Sequence, residues 1–106
     1  MKFDELGAAL GLEEEEYREL IELFMTSGLA ELERLRSALA AGDQDQVRRC
    51  AHTIKGAAGN LGLNAFHETA KQIENQSADH HTAGLPQAVE RLAAQFDALG
   101  KLCVPS

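Results

Sequence analysis

The sequence predicts an all-α fold, an antiparallel four-helix bundle with a short additional N-terminal helix. Apolar residues recur every three or four positions in four long segments, which is the spacing of helices with one buried face. No segment sustains an alternation of apolar and polar residues, and no Asn-Gly or Asp-Gly pair indicates a hairpin turn. Because 106 residues can enclose one hydrophobic core, we expect residues 1–106 to form a single domain.

The first predicted helix is short and the second is long. Residues Phe3–Leu12 have a helical apolar pattern that two glycines interrupt. Glu13–Glu16 place four carboxylates at the start of the second helix, where the helix dipole favours negative charge, and Gly42 ends it. Gly28 lies in the middle of this helix, and a local bend or a close contact with another helix would explain it. The predicted buried face of the second helix comprises Tyr17, Ile21, Phe24, Gly28, Leu32, Leu35 and Leu39.

The third predicted helix covers residues 44–60. Asp43 followed by Gln46 has the pattern of an N-cap with its partner at the third helical position, and Gly62 is placed to end the helix. The loop around Gly42 is therefore short, and the second and third helices should be antiparallel neighbours. The predicted buried face of the third helix comprises Val47, Ala51, Ile54, Ala58 and Leu61.

Two further helices complete the predicted bundle. The fourth begins at Leu63-Asn64, and the polar segment Ser77–Gly84 after it is the longest predicted loop. Pro86 suits the first turn of the last helix, which we expect to end near Val104-Pro105. The predicted buried residues of the fourth helix are Phe66, Ala70 and Ile73, with Ser77 near its end, and those of the fifth are Leu85, Val89, Leu92, Phe96, Leu99 and Cys103.

Composition and charge exclude several classes of protein. Ten Lys and Arg residues against seventeen Asp and Glu residues give a net charge of −7, which disfavours binding to nucleic acid or to an anionic membrane. No apolar run approaches the roughly 20 residues that span a bilayer, and the N-terminus lacks the pattern of a signal peptide. We therefore expect a cytoplasmic monomer in which Cys50 and Cys103 are reduced thiols.

His52 is the main candidate for chemistry. On the third helix it falls on the polar face, beside Arg48, Lys55, Gly56 and Gly59 at helical spacing. A glycine inside a helix costs about 1 kcal/mol relative to alanine, and here two glycines leave the backbone beside the imidazole bare. An uncharged imidazole is a nucleophile toward phosphorus, so these neighbours suit a phosphoryl group on His52. The simpler interpretation is an ordinary surface histidine.

The sequence offers little support for ATP or metal chemistry. It contains neither a GxxxxGK[ST] loop nor a GxGxxG turn after a strand, so we expect no autonomous phosphorylation from ATP. His67-Glu68 is followed by Lys71 where a zinc-protease helix would have its second histidine. His80-His81 in the loop is more simply explained as a solvated pair than as a metal site, which needs three or four ligands.

The segment HTIKGAAGNLGL, residues 52–63, resembles the signature of histidine-containing phosphotransfer (HPt) domains. Proteins of this family carry phosphoryl groups between receiver-domain aspartates in two-component phosphorelays, and the predicted helix order fits them over nearly the whole chain. The resemblance implies that His52 is the phosphorylated residue, that Lys55 is the conserved cation supporting it, and that Gly56 leaves room for the receiver. Many members have a hydroxyl group where this chain has Ala57 or Ala58.

The resemblance also implies the partners. These are receiver domains of response regulators and a histidine kinase or hybrid histidine kinase. The Mg²⁺ is expected on the receiver, and we expect this chain to hold no cofactor. We expect the docking surface to include Arg48, Arg49, Gly56, Gly59 and Asn60. One alternative is a helical adaptor that binds a receiver or kinase without accepting phosphate. Another is that the domain belongs to a larger hybrid or chemotaxis kinase.

Overall fold

The chain folds as an antiparallel four-helix bundle with a short helix at its N-terminal side, as predicted. A computed structural model describes residues 3–79 and 83–103, and no strand occurs in these two ranges. The helices are α1 (Phe3–Ala9), α2 (Glu14–Ala41), α3 (Gln44–Asn60), α4 (Asn64–Ala78) and α5 (Leu85–Cys103). Helices α2, α3, α4 and α5 pack in chain order, α5 returns to contact α2, and α1 contacts α2.

The core contains the apolar faces that helical periodicity predicts. Three phenylalanines, Phe24, Phe66 and Phe96, meet at its centre with ring centroids 4.9 to 5.4 Å apart. Aliphatic side chains from α2 to α5 fill the space on both sides of these rings and remove apolar surface from water, which is the main stabilising contribution to the fold. The largest fully buried side chains are Tyr17, Phe96, Ile21, Leu35, Ile54, Ile73, Leu85, Leu92, Leu99, Val47, Val89 and Cys50.

Capping residues fix the ends of α2 and α3. Glu13 is the N-cap of α2 and forms a capping box with Glu16, whose side chain accepts a hydrogen bond from the Glu13 backbone N–H at 3.1 Å. The Asp43 carboxylate accepts from the Gln46 backbone N–H, also at 3.1 Å. Gly42 has a left-handed φ of 74°, which glycine adopts without strain and which ends α2 where the sequence predicts.

The first helix is shorter than predicted. It ends at Ala9 instead of Leu12. Beyond Ala9 the backbone turns, the Leu12 N–H bonds to the Gly7 carbonyl at 2.8 Å, and Gly11 adopts a φ of 73°. The second glycine therefore ends this helix one turn earlier than the apolar pattern indicates.

Gly28 allows a close contact between α2 and α5. A Cβ atom at this position would lie 2.5 Å from two ring atoms of Phe96, which is too close for any side chain. The absence of a side chain lets the Phe96 ring pack directly on the backbone of α2. Of the two explanations that the sequence left open, the close helix contact accounts for this glycine.

Tyr17 joins the beginning of α2 to the end of α3. Its side chain is fully buried, and its hydroxyl donates a hydrogen bond of 2.5 Å to the Leu61 carbonyl at the C-cap of α3. Burial raises the pKa of the Tyr17 hydroxyl, so this group remains a donor. The hydrogen bond satisfies a carbonyl that the helix itself leaves without a partner.

Some sequence predictions concern parts of the chain that the structure does not describe. The histidine pair His80-His81, the helix end near Val104-Pro105 and the Cys103 side chain lie outside the described residues. Cys50 is a free, buried thiol. No helix in the described ranges is long and apolar enough to cross a membrane.

Candidate functional site

His52 lies on the outer face of α3, as the helical pattern predicts. Its side chain is 66% exposed, while Ala51 and Ile54 on the same helix are buried in the core. The neighbouring Gly56 has nothing within 4 Å of where its Cβ would be. The imidazole is therefore accessible to a large partner from the side of Gly56.

A carboxylate from α4 links His52 to Lys55. Glu74 Oε2 lies 2.6 Å from His52 Nδ1, and Glu74 Oε1 accepts a hydrogen bond of 2.6 Å from Lys55 Nζ. The Glu74 side chain is only 17% exposed and that of Lys55 25%. The cation expected to support a phosphoryl group on His52 is thus held by a carboxylate on the next helix.

The charge of Glu74 determines which nitrogen of His52 carries the proton. The hydrogen bond from Lys55 is the main cause that lowers the pKa of Glu74, with a further contribution from His52. An ionised carboxylate only accepts hydrogen bonds, so Nδ1 of the neutral imidazole must be the donor. This hydrogen-bond pattern assigns the ring proton to Nδ1, so the lone pair is on Nε2.

A polar basin surrounds the exposed side of His52. We call this depression of about 420 Å³ the basin, and it is lined by Arg48, Arg49, His52, Thr53 and Glu74. Two of the residues predicted to dock a partner therefore lie next to the candidate nucleophile. Lys55 does not line the basin.

An apolar groove lies between α2 and α3 on the other side of Thr53. We call this depression of about 280 Å³ the groove. It exposes two large apolar side chains of α2, Leu20 at 37% and Leu23 at 64%. The groove is lined by Leu20, Leu23, Phe24, Ser27, Gly28, Glu31, Thr53, Ile54, Ala57, Asn60 and Leu61. Asn60, which the resemblance to HPt domains places among the docking residues, belongs to this surface.

Gly59 has a structural explanation that the sequence did not show. A Cβ at this position would be 3.3 Å from Nδ1 of His67, whose ring donates a hydrogen bond of 3.2 Å to the Lys55 carbonyl. Packing between α3 and α4 therefore already favours a residue without a side chain here. Docking through Gly59 stays a prediction, and Gly56 is the glycine that faces open space.

Cys50, two residues before His52, is not a competing nucleophile. Its side chain is 1% exposed, and burial together with Glu31 raises the pKa of the thiol. The thiol therefore stays protonated, and the thiolate is the reactive form.

Glu74 is the site residue that sequence reasoning missed. The sequence does contain an indication that the two residues are close. His52 precedes the turn at Gly62, and Glu74 follows it, by a similar number of residues. Two antiparallel helices joined by a short turn bring such positions to the same level. The rotation of α4 about its axis, which turns Glu74 toward His52, depends on how Phe66 and Ile73 pack in the core.

Side chains that could bind a metal ion do not cluster in the part of the chain that the structure describes. Within residues 3–79 and 83–103, no three His, Cys, Asp or Glu side chains converge so as to hold a metal ion. The site comprises one exposed histidine on a helical bundle, beside a carboxylate and two arginines.

Comparisons with known proteins agree with this description. The sequence profile of the Hpt domain matches residues 19–101. The crystal structure of histidine-containing phosphotransfer protein B (HptB) from Pseudomonas aeruginosa is similar, with a TM-score of 0.83 and 28% sequence identity over 94% of this chain and 88% of that chain. No protein with a curated description matches this chain in sequence.

The fold is that of a helical-bundle protein that presents an exposed histidine on α3. The chain belongs to the Hpt domain family, the histidine phosphotransfer proteins of two-component signalling. Members of this family carry phosphoryl groups and are not kinases, and they interact with receiver domains and histidine kinases.

Proposed function

We propose that this chain accepts a phosphoryl group on Nε2 of His52 from a receiver-domain aspartate or a kinase and passes it to another receiver. The observation that carries the proposal is the 2.6 Å contact between Glu74 Oε2 and His52 Nδ1. It orients the ring and keeps the proton on Nδ1, so the exposed Nε2 is ready to act as the nucleophile. An ordinary surface histidine needs no such partner.

The proposed transfer is a single substitution at phosphorus. The Nε2 lone pair forms the N–P bond while the P–O bond to the partner's aspartate breaks, and the aspartate leaves as a carboxylate with the electron pair. The proton stays on Nδ1, so the phosphorylated ring gains a positive charge that the Glu74 carboxylate offsets. Reversal of these bond changes returns the phosphoryl group to an aspartate.

The receiver is proposed to supply the remaining catalytic groups. Phosphoryl transfer needs charge neutralisation on the oxygens of phosphorus, and a Mg²⁺ ion bound by the receiver would provide it. This chain then supplies the nucleophile, His52, and the two residues that position it, Glu74 and Lys55. Gly56 leaves the receiver space to bring its aspartate close to Nε2.

The groove is the proposed docking surface for the receiver. Exposed apolar side chains such as Leu20 and Leu23 are unfavourable in water, and a partner that covers them gains affinity. The groove adjoins the basin through Thr53, which lines both. A partner seated on the groove is therefore beside His52.

Phosphorylation with phosphoramidate tests the chemistry without a protein partner. We expect one acid-labile, alkali-stable phosphoryl group per chain, located on His52 by peptide mapping and assigned to Nε2 by NMR. His52→Gln should abolish it, and His67→Gln, which alters a half-buried ring, should keep it. Label that persists in His52→Gln would sink the assignment.

A second experiment, which measures phosphoryl transfer from phosphorylated receivers in the presence of Mg²⁺, distinguishes a phosphocarrier from an adaptor. The carrier accepts the phosphoryl group on His52 from at least one receiver and returns it. A chain that binds receivers with undiminished affinity but takes no phosphoryl group from any of them is an adaptor.

A further inference from the structure

Two arginines beside His52 differ from the arginines of α2 in their contacts. Each arginine of α2 forms an ion pair with a glutamate. Arg48 and Arg49 are exposed on the rim of the basin, and neither forms an ion pair with another residue of the described ranges. In a chain with seven more acidic than basic residues, two cations without a carboxylate partner next to the candidate nucleophile indicate an anion site.

Lys55 is poorly placed to be the cation of that site. Its ammonium group is 2.6 Å from Glu74 Oε1, and its side chain is absent from the lining of the basin. If Lys55 turned to a phosphoryl group on His52, the largely buried carboxylate of Glu74 would lose its main partner close to a second negative group. Leaving a buried charge without its partner is unfavourable.

The geometry of the helix directs the His52 ring toward the arginines. Side chains of an α-helix lean toward its N-terminus, so the ring lies over the turn that contains Arg48 and Arg49. Glu74 occupies Nδ1, so Nε2 is the nitrogen left free on a ring that lines the basin. The basin, at about 420 Å³, has room for a phosphoryl group between the residues that line it.

We infer that Arg48 and Arg49 bind the phosphoryl group carried on His52, and that Lys55 acts indirectly by holding Glu74 against the ring. This inference rests on the proposed function. A guanidinium group presents paired N–H donors that match phosphate oxygens and stays charged at any physiological pH. Lys55 is then a positioning residue, and the two arginines form the phosphoryl subsite.

The test compares charge-neutralising variants after labelling with phosphoramidate. The phosphoryl group of each variant is titrated by ³¹P NMR, because nearby cations favour its dianion and move the midpoint to lower pH. The double variant Arg48→Gln/Arg49→Gln should raise the midpoint by roughly 0.3–0.7 pH unit, the size expected for exposed charge pairs. Arg91→Gln, which removes an exposed arginine that bonds Gln72 between α4 and α5, is the matched control and should titrate like the wild type.

Lys55→Gln distinguishes the two roles. Its titration midpoint should move less than that of the double arginine variant, while the NMR signals of the unphosphorylated ring should show proton density shifting from Nδ1 to Nε2. A midpoint that depends on Lys55 more than on the two arginines overturns the inference and leaves His52 phosphorylation intact. Absence of label on His52 in the wild type overturns both the inference and the proposed function.

Discussion

A single carboxylate on α4 sets the chemical state of a histidine on α3. Free histidine side chains in water favour the proton on Nε2, which would block the nitrogen that is exposed here. The hydrogen bond from His52 Nδ1 to Glu74 reverses that preference without burying the ring. Lys55 favours the ionised form of this carboxylate, since its hydrogen bond is the main cause of the lowered pKa of Glu74.

Replacing Glu74 should therefore change the tautomer of His52. In Glu74→Leu the Nδ1–H loses its acceptor, and we expect the ring proton to move mainly to Nε2. Two-bond ¹⁵N–¹H correlation spectra of the imidazole distinguish the two tautomers. Glu68→Leu removes an exposed carboxylate from the same helix and should leave the spectrum unchanged. A ring that keeps its proton on Nδ1 in Glu74→Leu would contradict this account of the site.

At the scale of helices, two glycines have opposite structural environments. Helix propensity alone predicts that Gly→Ala stabilises a helix interior by about 1 kcal/mol. We expect Gly28→Ala to destabilise the bundle by about 1–3 kcal/mol instead, because its Cβ would lie 2.5 Å from the Phe96 ring. Gly56→Ala, with nothing within 4 Å of its Cβ, should follow propensity and raise the stability.

Urea unfolding monitored by circular dichroism measures both effects. The two substitutions are identical in chemistry, so their difference isolates the contact with Phe96. Equal changes in the free energy of unfolding would show that α2 and α5 can separate slightly at no cost, and that Gly28 is not needed for packing.

The helices could be predicted from the sequence because local signals specify them. The Asp43 N-cap and the turn at Gly62 give the bounds of α3, and the apolar spacing gives its buried face. The rotation of one helix against another depends on side-chain packing across the core, which local spacing does not encode. This is why the exposed position of His52 could be predicted from the sequence and its contact with Glu74 could not.

The packing role of Gly59 could not be predicted either, because it also depends on a contact between two helices. Its neighbour His67 lies on α4, and only the packed structure brings the two together. The roles assigned to His52, Lys55 and Gly56 from resemblance stay predictions until phosphorylation is measured.

At the scale of the whole molecule, the Lys55–Glu74 ion pair joins α3 to α4 and should make stability depend on pH. The pKa of Glu74 is lowered from its ordinary value of 4.5, so folding favours the ionised form. This contribution, about 1 kcal/mol for a partly buried pair, is fully present above pH 4.5 and is lost as the pH falls through the lowered pKa.

Unfolding of Glu74→Gln and wild type across this pH range checks the prediction. The difference in their free energies of unfolding should shrink as acid protonates Glu74 in the wild type. Glu90→Gln is the control, because the pair between Glu90 and Arg36 is largely exposed and should contribute little at any pH. A difference for Glu74→Gln that stays constant into acid would mean that the lost contact does not depend on charge.

The groove and the basin have only Thr53 in common, among all the residues that line them. If the groove docks the receiver as proposed, mutations along α2, at positions such as Leu20 or Leu23, should therefore alter partner choice while the imidazole and its carboxylate stay as they are. Leu20 and Leu23, proposed to contact the partner, lie on α2, whereas His52 and Glu74, proposed to carry the chemistry, lie on α3 and α4.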